Sequence, residues 1–182
     1  MQKIFAINVD NDKNKTKKIQ LWIDEVPEID RSFDKVSIRE FEIESMNIGI
    51  DRRVCIEISY NRHSTNYALL GAEYFPNNSN KLTVEIHYND INRKRYENSN
   101  NIFNKGKKYC GLLYWYVSAI YESIDKIIAE GNGLIGKIVF DVAANCIVGS
   151  SDMVFGEATE MIMKLLNDSK NYKKTYEQIL LL

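Results

Sequence analysis

The stretch GNGLIGKIVFDVAANCIVGSSDMVF, residues 131–155, decides the fold of this chain. Gly131 and Gly133 follow a long segment with an apolar stripe, and glycine at such a position ends a helix. Residues 137–148 are almost continuously apolar, which predicts a strand that is buried on both faces. The turn at 149–152 has good N-cap chemistry, so a second helix is predicted over 152–167.

Residues 109–130 carry apolar side chains at helical spacing, and this pattern predicts the first helix. We expect Trp115 to pack in the core. The helix holds more aromatic residues than one face can bury, so Tyr114, Tyr116 and Tyr121 are candidates for a partner surface. Tyr172, Tyr176 and Ile179 repeat at helical spacing in the tail, which predicts a short docked helix over 171–182.

The region before the first helix has the period-2 pattern of β-strands. Alternation at 53–60 predicts a half-buried antiparallel strand, and the alternation at 36–44 breaks near Arg39, where a bulge is one explanation. The other predicted strands are 3–9, 19–26, 66–75 and 81–88. The order of elements predicts an α+β two-layer sandwich, with a mostly antiparallel sheet and helices on one face. We divide the chain into an N-terminal β extension (1–60), packed on a main domain (61–182). Whether the extension completes the main sheet stays open.

Composition and charge are those of a soluble globular protein. The 182 residues are 45% hydrophobic and 27% charged, with a formal net charge of −1. No global field therefore draws the chain to DNA or to a membrane surface, and neither partner is expected. The three cysteines show no CxxC spacing, which gives no indication of a zinc site or a disulfide framework. The N-terminus lacks a signal peptide pattern, so we expect a cytoplasmic protein.

The segments LIGKIVFDV (134–142) and SSDMVF (150–155) resemble domain IV of elongation factor G, which has the ribosomal protein S5 domain 2-like fold. The resemblance covers roughly residues 65–166. It implies that Gly136 turns the chain into the strand, and that Ser150 or Ser151 caps the next helix with Asp152 in its first turn. Asp141 lies in an apolar strand, so it needs a charged or hydrogen-bonding partner or an exposed face.

Two departures from this family limit what the resemblance implies about function. The family has a longer loop between the strand and the Ser-Ser turn, whereas here the strand leads almost directly into Gly149. No GxxxxGK[ST] motif is present, so the nucleotide-binding domain of the translational GTPases is missing. We therefore expect the fold without translocation or ribosome-protection activity.

The leading functional prediction is a non-enzymatic, cytoplasmic module that binds another protein. An alternative is a ribosome- or RNA-associated accessory protein that uses the basic stretch 92–108, whose candidate RNA contacts are Arg93, Lys94, Arg95, Lys107 and Lys108. A small-molecule phosphotransferase is disfavoured, because the turn at 149–151 has a single glycine and Asp152 would repel phosphate.

Candidate catalytic and metal-binding residues are lacking in the sequence pattern. His63 and His87 form neither an HxH nor an HExxH motif, and no Cys/His cluster accompanies them. The carboxylates of Glu42 and Glu44 alternate on one strand face, which is typical of a solvated face. We assign no catalytic, cofactor-binding or metal-binding residue. Enzymatic activity stays open, although its absence is the expectation.

Overall fold

The computed structural model describes residues 3–10, 16–44, 47–61, 66–92, 94–97 and 106–167. Within these ranges the chain forms eight strands, a 3₁₀ turn and two α-helices. The strands are β1 (Lys3–Asp10), β2 (Thr16–Ile23), β3 (Lys35–Glu42), β4 (Arg52–Asn61), β5 (Tyr67–Pro76), β6 (Lys81–Tyr88), β7 (Lys108–Cys110) and β8 (Gly136–Cys146). The 3₁₀ turn spans Tyr114–Tyr116, and the helices are α1 (Val117–Ala129) and α2 (Asp152–Asn167). The predicted tail helix at 171–182 lies outside the described residues.

All eight strands belong to one mixed sheet, which with the helices gives an α+β fold. The order is β1-β2-β4-β5-β8-β6-β3, and β7 pairs with the end of β8 beyond β6. Strands β6 and β8 are parallel, and the other pairs are antiparallel. The strands from the first 60 residues therefore join the main sheet, with β1 at one edge and β3 at the other.

Both helices pack on one face of this sheet, where they form the larger hydrophobic core. Ile56, Leu70 and Phe140 from the sheet meet Ile120 of α1 and Phe155 of α2, and each of these side chains is almost completely buried. The second helix has the predicted limits, because Ser151 accepts the first helical hydrogen bonds from Val154 and Phe155. The apolar patterns of the strands and helices predict this core between the sheet and the two helices, and burying it stabilises the fold.

The first helix begins later than the predicted residue 109. Lys108–Cys110 form β7 instead, and Gly111 follows with a φ of 100°, a conformation that stops a helix from forming there. The 3₁₀ turn then leads into α1 at Val117. The helix ends at Ala129 and Gly131 has a φ of 78°, so its predicted C-terminal end is confirmed.

The connection from β2 to β3, residues 24–34, crosses the sheet face opposite the helices. Val26 and Ile29 pack there against a second, smaller core that includes Trp22, Cys55 and Tyr67. As a result β4 is buried on both faces, and the expectation of a half-buried strand was wrong. The crossing segment supplies the cover that local alternation does not reveal.

The break in alternation near Arg39 is not a bulge. Strand β3 pairs with β6 in unbroken register from Lys35 to Glu42. The break marks a change of face, because Val36 and Ile38 are exposed whereas Phe41 is buried beneath α1. A real irregularity occurs where β5 pairs with β8, at Gly71 and Ala72, and it leaves Asp141 as the extra residue on β8.

The last two residues of the predicted strand 137–148 lie outside β8. Ile147 and Val148 follow its final residue, Cys146, in an exposed turn. No helix in the described ranges has the length and apolar character needed to cross a membrane.

Candidate functional site

Four of the five basic residues proposed for RNA contact lie among the described residues, and they occupy different environments. Arg93 lies outside the described residues. The ammonium group of Lys94 lies 3.4 Å from Asp30, and the guanidinium group of Arg95 lies 3.9 Å from Glu97. Lys107 is exposed.

Lys108 is a buried residue, which is a correction to its place among the candidate RNA contacts. Its side chain points into the smaller core, where its ammonium nitrogen lies 3.6 Å from Glu57 and 4.5 Å from the centre of the Tyr67 ring. Burial lowers the pKa of Lys108, and the Glu57 carboxylate opposes that shift. A buried ammonium group of this kind cannot meet a phosphate backbone.

The three tyrosines proposed as a partner surface occupy different environments. Tyr114 is 55% exposed, whereas Tyr116 is buried and its hydroxyl donates a hydrogen bond to the Ser150 carbonyl oxygen at 3.1 Å. Tyr121 is half-buried, and its hydroxyl donates to Ser37 Oγ at 2.9 Å. Of the three, Tyr114 presents its ring to solvent.

Trp115 is 45% exposed, so the expectation that it packs in the core was wrong. It lies in the 3₁₀ turn, whose three-residue period directs neighbouring side chains differently from an α-helix. The centres of the Tyr114 and Trp115 rings are 5.0 Å apart in an edge-to-face arrangement. The two adjacent rings therefore form an exposed aromatic pair.

The 3₁₀ turn that carries the aromatic pair contacts the β8–α2 turn, and exposed apolar side chains occur in that turn and at the start of α2. Tyr116 connects the 3₁₀ turn to the β8–α2 turn through Ser150, and its ring lies 4.6 Å from that of Phe155. We name this surface the aromatic end. Its members, each at least 45% exposed, are Tyr114, Trp115, Ile147, Val148 and Met153.

Met153 lies in the first turn of α2 and is 63% exposed. The packing face begins at Val154, which is buried. The exposure of Trp115, Ile147, Val148 and Met153 was therefore not predicted from the sequence. The available signal was that Ile147 and Val148 immediately precede a turn-forming glycine, where a strand can already have ended.

The residues of the elongation factor-like motif have structural positions. Gly136 has a φ of 144°, and a Cβ there would lie 2.5 Å from the Phe75 carbonyl oxygen, so glycine is needed at the entry to β8. Asp141 pairs with Arg53 and Arg31, each at 3.1 Å, and Arg53 also pairs with Glu73. These contacts supply the charged partners that an aspartate in an apolar strand requires.

Ser150 and Ser151 make different hydrogen bonds. Ser150 Oγ donates to the Tyr67 carbonyl oxygen at 2.6 Å and accepts from the backbone N–H of Cys146 at 2.8 Å, which closes the turn after β8. Ser151 accepts the helical hydrogen bonds, and its Oγ lies 3.4 Å from the Val154 nitrogen. Asp152 stands in the first turn of α2, where its charge suits the helix dipole.

A groove of about 580 Å³ lies between α1 and α2, next to the aromatic end. The α1 side contributes Ala119, Glu122, Ser123 and Lys126. Tyr60 of β4 also lines the groove. The α2 side contributes Asp152, Met153, Gly156, Glu157 and Glu160. Met153 therefore belongs both to the groove and to the aromatic end.

Acidic side chains dominate the groove. Glu157 is engaged by Lys17 at 2.5 Å and by the Tyr60 hydroxyl, and Glu160 is engaged by Lys126 at 2.8 Å. Burial, assisted by Glu157, raises the pKa of Tyr60, so this phenol stays neutral. The contacts of Glu160 raise the pKa of Lys126.

The described residues contain no cluster of three or more His, Cys, Asp or Glu side chains suited to a metal ion. His87 has its Nε2 atom 2.7 Å from Glu85 and its ring against that of Phe33, whereas His63 lies outside the described residues. The chain matches no protein-family model. Neither the curated proteins nor the solved structures provide a match to it.

Proposed function

We propose that this chain is a non-enzymatic module that binds another protein through the aromatic end. The observation that carries the proposal is the exposed pair formed by Tyr114 and Trp115. Tyrosine and tryptophan are the residues that most often dominate the binding energy of protein interfaces, because each buries a large rigid surface. Met153, Ile147 and Val148, near the turn that Tyr116 contacts, add further exposed apolar area.

The proposal includes an S5 domain 2-like fold of the kind seen in elongation factor G domain IV. It is supported by the succession of α1, the turn at Gly136, β8 and α2, which follows the family pattern element by element. The described cysteines are free and buried, and this suits the reducing cytoplasm in which we place the protein.

RNA association has weaker support than protein binding. Lys108 is buried and cannot contact phosphate, and the carboxylates of Asp30 and Glu97 lie near Lys94 and Arg95. The exposed aromatic and aliphatic side chains of the aromatic end are of the kind that pack against a protein partner.

The test is affinity capture from the native host with the tagged wild-type chain and with the variant Tyr114→Ala/Trp115→Ala. We expect a stoichiometric protein partner that the variant loses by at least about tenfold, since hot-spot aromatic residues contribute 2 kcal/mol or more each. The matched control is Val36→Ser/Ile38→Ser, which removes two exposed apolar side chains of β3 that do not belong to the aromatic end.

Three results would overturn the proposal. Equal recovery of the partner by wild type and by Tyr114→Ala/Trp115→Ala would remove the aromatic end from the interface. Equal losses in that variant and in the β3 control would indicate nonspecific hydrophobic capture. Recovery of ribosomal RNA and ribosomal proteins that falls steeply with salt would support the RNA alternative instead.

A further inference from the structure

We infer that the groove between α1 and α2 receives a basic, amphipathic segment of the protein partner. The inference rests on the proposed function and specifies the chemistry of the partner. Such a segment places lysine or arginine side chains in the groove and apolar side chains over Met153 and Trp115.

The charge of the groove favours a cationic occupant. Among its carboxylates, Glu122 and Asp152 have no ion pair or hydrogen bond to any side chain in the described part of the protein, and both are exposed. Glu157 and Glu160 stand beside them, although each already has a cationic neighbour. A lysine or arginine side chain entering the groove would therefore meet two carboxylates that have no side-chain partner in the described ranges, of which Asp152 also interacts with the dipole of α2.

A second observation, independent of the carboxylates, also points to a ligand. Ser123 lines the groove with only 9% of its surface exposed, and its hydroxyl makes no hydrogen bond with the described residues. A helical serine can donate to the carbonyl oxygen one turn earlier, and such a bond would satisfy it. Here the hydroxyl stays available to accept a hydrogen bond from an ammonium or guanidinium group.

Gly156 lies directly against this hydroxyl. A Cβ atom at position 156 would lie 2.9 Å from Ser123 Oγ, so glycine lets the two helices approach closely at the floor of the groove. Glycine is a weaker helix former than alanine, and this close packing against Ser123 accounts for its presence in α2.

The position of Met153 identifies the occupant as a peptide segment and not a free polyamine. Met153 lines the groove and is exposed at the aromatic end, so the cationic and apolar subsites share one residue. A polyamine can neutralise the carboxylates but leaves the apolar subsite uncovered. An amphipathic segment satisfies both, as in the recognition mode in which a helix lays its apolar face on a partner.

The test measures the binding of a fluorescein-labelled peptide in which leucine and lysine alternate at helical spacing. A second peptide, in which glutamate replaces lysine, is the comparison. We expect the lysine peptide to bind, and Glu122→Gln/Asp152→Asn to weaken it about tenfold at low salt. Asparagine keeps the size and the hydrogen-bonding groups of the side chain at position 152, and Ser151 still accepts the first hydrogen bonds of α2. The control, Glu42→Gln/Glu44→Gln, removes two exposed carboxylates elsewhere and should leave the affinity unchanged.

Backbone amide chemical shifts of the full chain locate the peptide. Shifts confined to 119–126, 152–160 and the aromatic end support the inference. Equal weakening by the two charge-removing variants, or equal binding of the glutamate peptide, would overturn it. Displacement of the peptide by spermine, with no shifts at the aromatic end, would also overturn it, because the groove would then be a small-cation site.

The failure of this inference is distinguishable from the failure of the proposed function. If Tyr114→Ala/Trp115→Ala loses the captured partner while Glu122→Gln/Asp152→Asn keeps it fully, the groove inference falls and the interaction module stands. If the aromatic variant keeps the partner, the proposed function falls whatever the lysine peptide does.

Discussion

The ammonium nitrogen of Lys108 lies 3.6 Å from a carboxylate oxygen of Glu57, inside the protein and on the sheet face opposite the helices. Glu57 is fully buried, and the Tyr67 hydroxyl donates to the same oxygen at 2.7 Å. Burying two opposite charges costs free energy, and contacts of this quality are what offset the cost. The pair connects the short strand β7 to the centre of the sheet.

We predict that Lys108→Met lowers the free energy of unfolding by about 3 kcal/mol, because it leaves the Glu57 carboxylate buried without its cation. Urea denaturation at pH 7 measures the change. The double variant Glu57→Leu/Lys108→Met should recover part of the loss, since it removes both charges from the interior but leaves the Tyr67 hydroxyl without its acceptor. Additive losses in the double variant would show that the two side chains are not coupled.

The stability of the fold should decline at alkaline pH through Tyr67. Burial is the main cause that raises the pKa of this phenol well above its ordinary value, and the negative charge of Glu57 is the second cause. The unfolded chain therefore loses this proton first, so the contribution is complete below pH about 10 and is lost as the pH rises further. Urea denaturation between pH 9 and 11 should show a less steep decline for Tyr67→Phe than for wild type, and equal slopes would contradict the prediction.

The lowered pKa of Lys108 acts with the opposite sign in this pH range. The ordinary pKa of lysine is about 10.4. At pH values below it, Lys108 loses its proton in the folded protein before it does so in the unfolded chain. The cost of burying the charge is therefore relieved as the pH rises towards that value. Lys108→Met should remove this gain, which separates the lysine contribution from that of Tyr67.

The larger core could be predicted from the sequence because its signals are local. Ile19, Leu21 and Ile23 alternate on β2, and the stripe of α2 continues unbroken from Val154 to Leu166. The smaller core could not be predicted, because its cover comes from the distant segment 24–34 and from β7. Alternation marks one side of β4 as polar, and only the tertiary structure shows that Glu57 on that side is buried.

The candidate site was predictable only in part. The crowding of aromatic residues around Tyr114 indicated a surface, and Tyr114 is indeed exposed. The exposure of Trp115 depends on a 3₁₀ turn at the start of the helix, which apolar spacing alone does not distinguish from an α-helical turn. The groove needs two helices from separate segments side by side, so no local pattern announces it.

Gly136→Ala should destabilise the protein more than Gly131→Ala. Both glycines have a positive φ, so alanine costs about 1 kcal/mol at either position. At Gly136 the added Cβ would also lie 2.5 Å from a carbonyl oxygen and 2.9 Å from the Tyr74 ring, whereas at Gly131 no atom lies within 4 Å. Thermal unfolding of the two variants provides the comparison, and equal melting temperatures would contradict the predicted tight turn into β8.

The aromatic end should contribute little to folding, in contrast to the core directly beneath it. We predict that Trp115→Ala changes the free energy of unfolding by less than about 1 kcal/mol, whereas Phe155→Ala lowers it by about 3 to 5 kcal/mol. The reason is that Phe155 is fully buried and Trp115 keeps much of its ring in solvent. Denaturant unfolding of both variants measures the difference. A loss at Trp115 comparable to that at Phe155 would mean that the tryptophan supports the fold, and its exposed ring would then no longer argue for a binding surface.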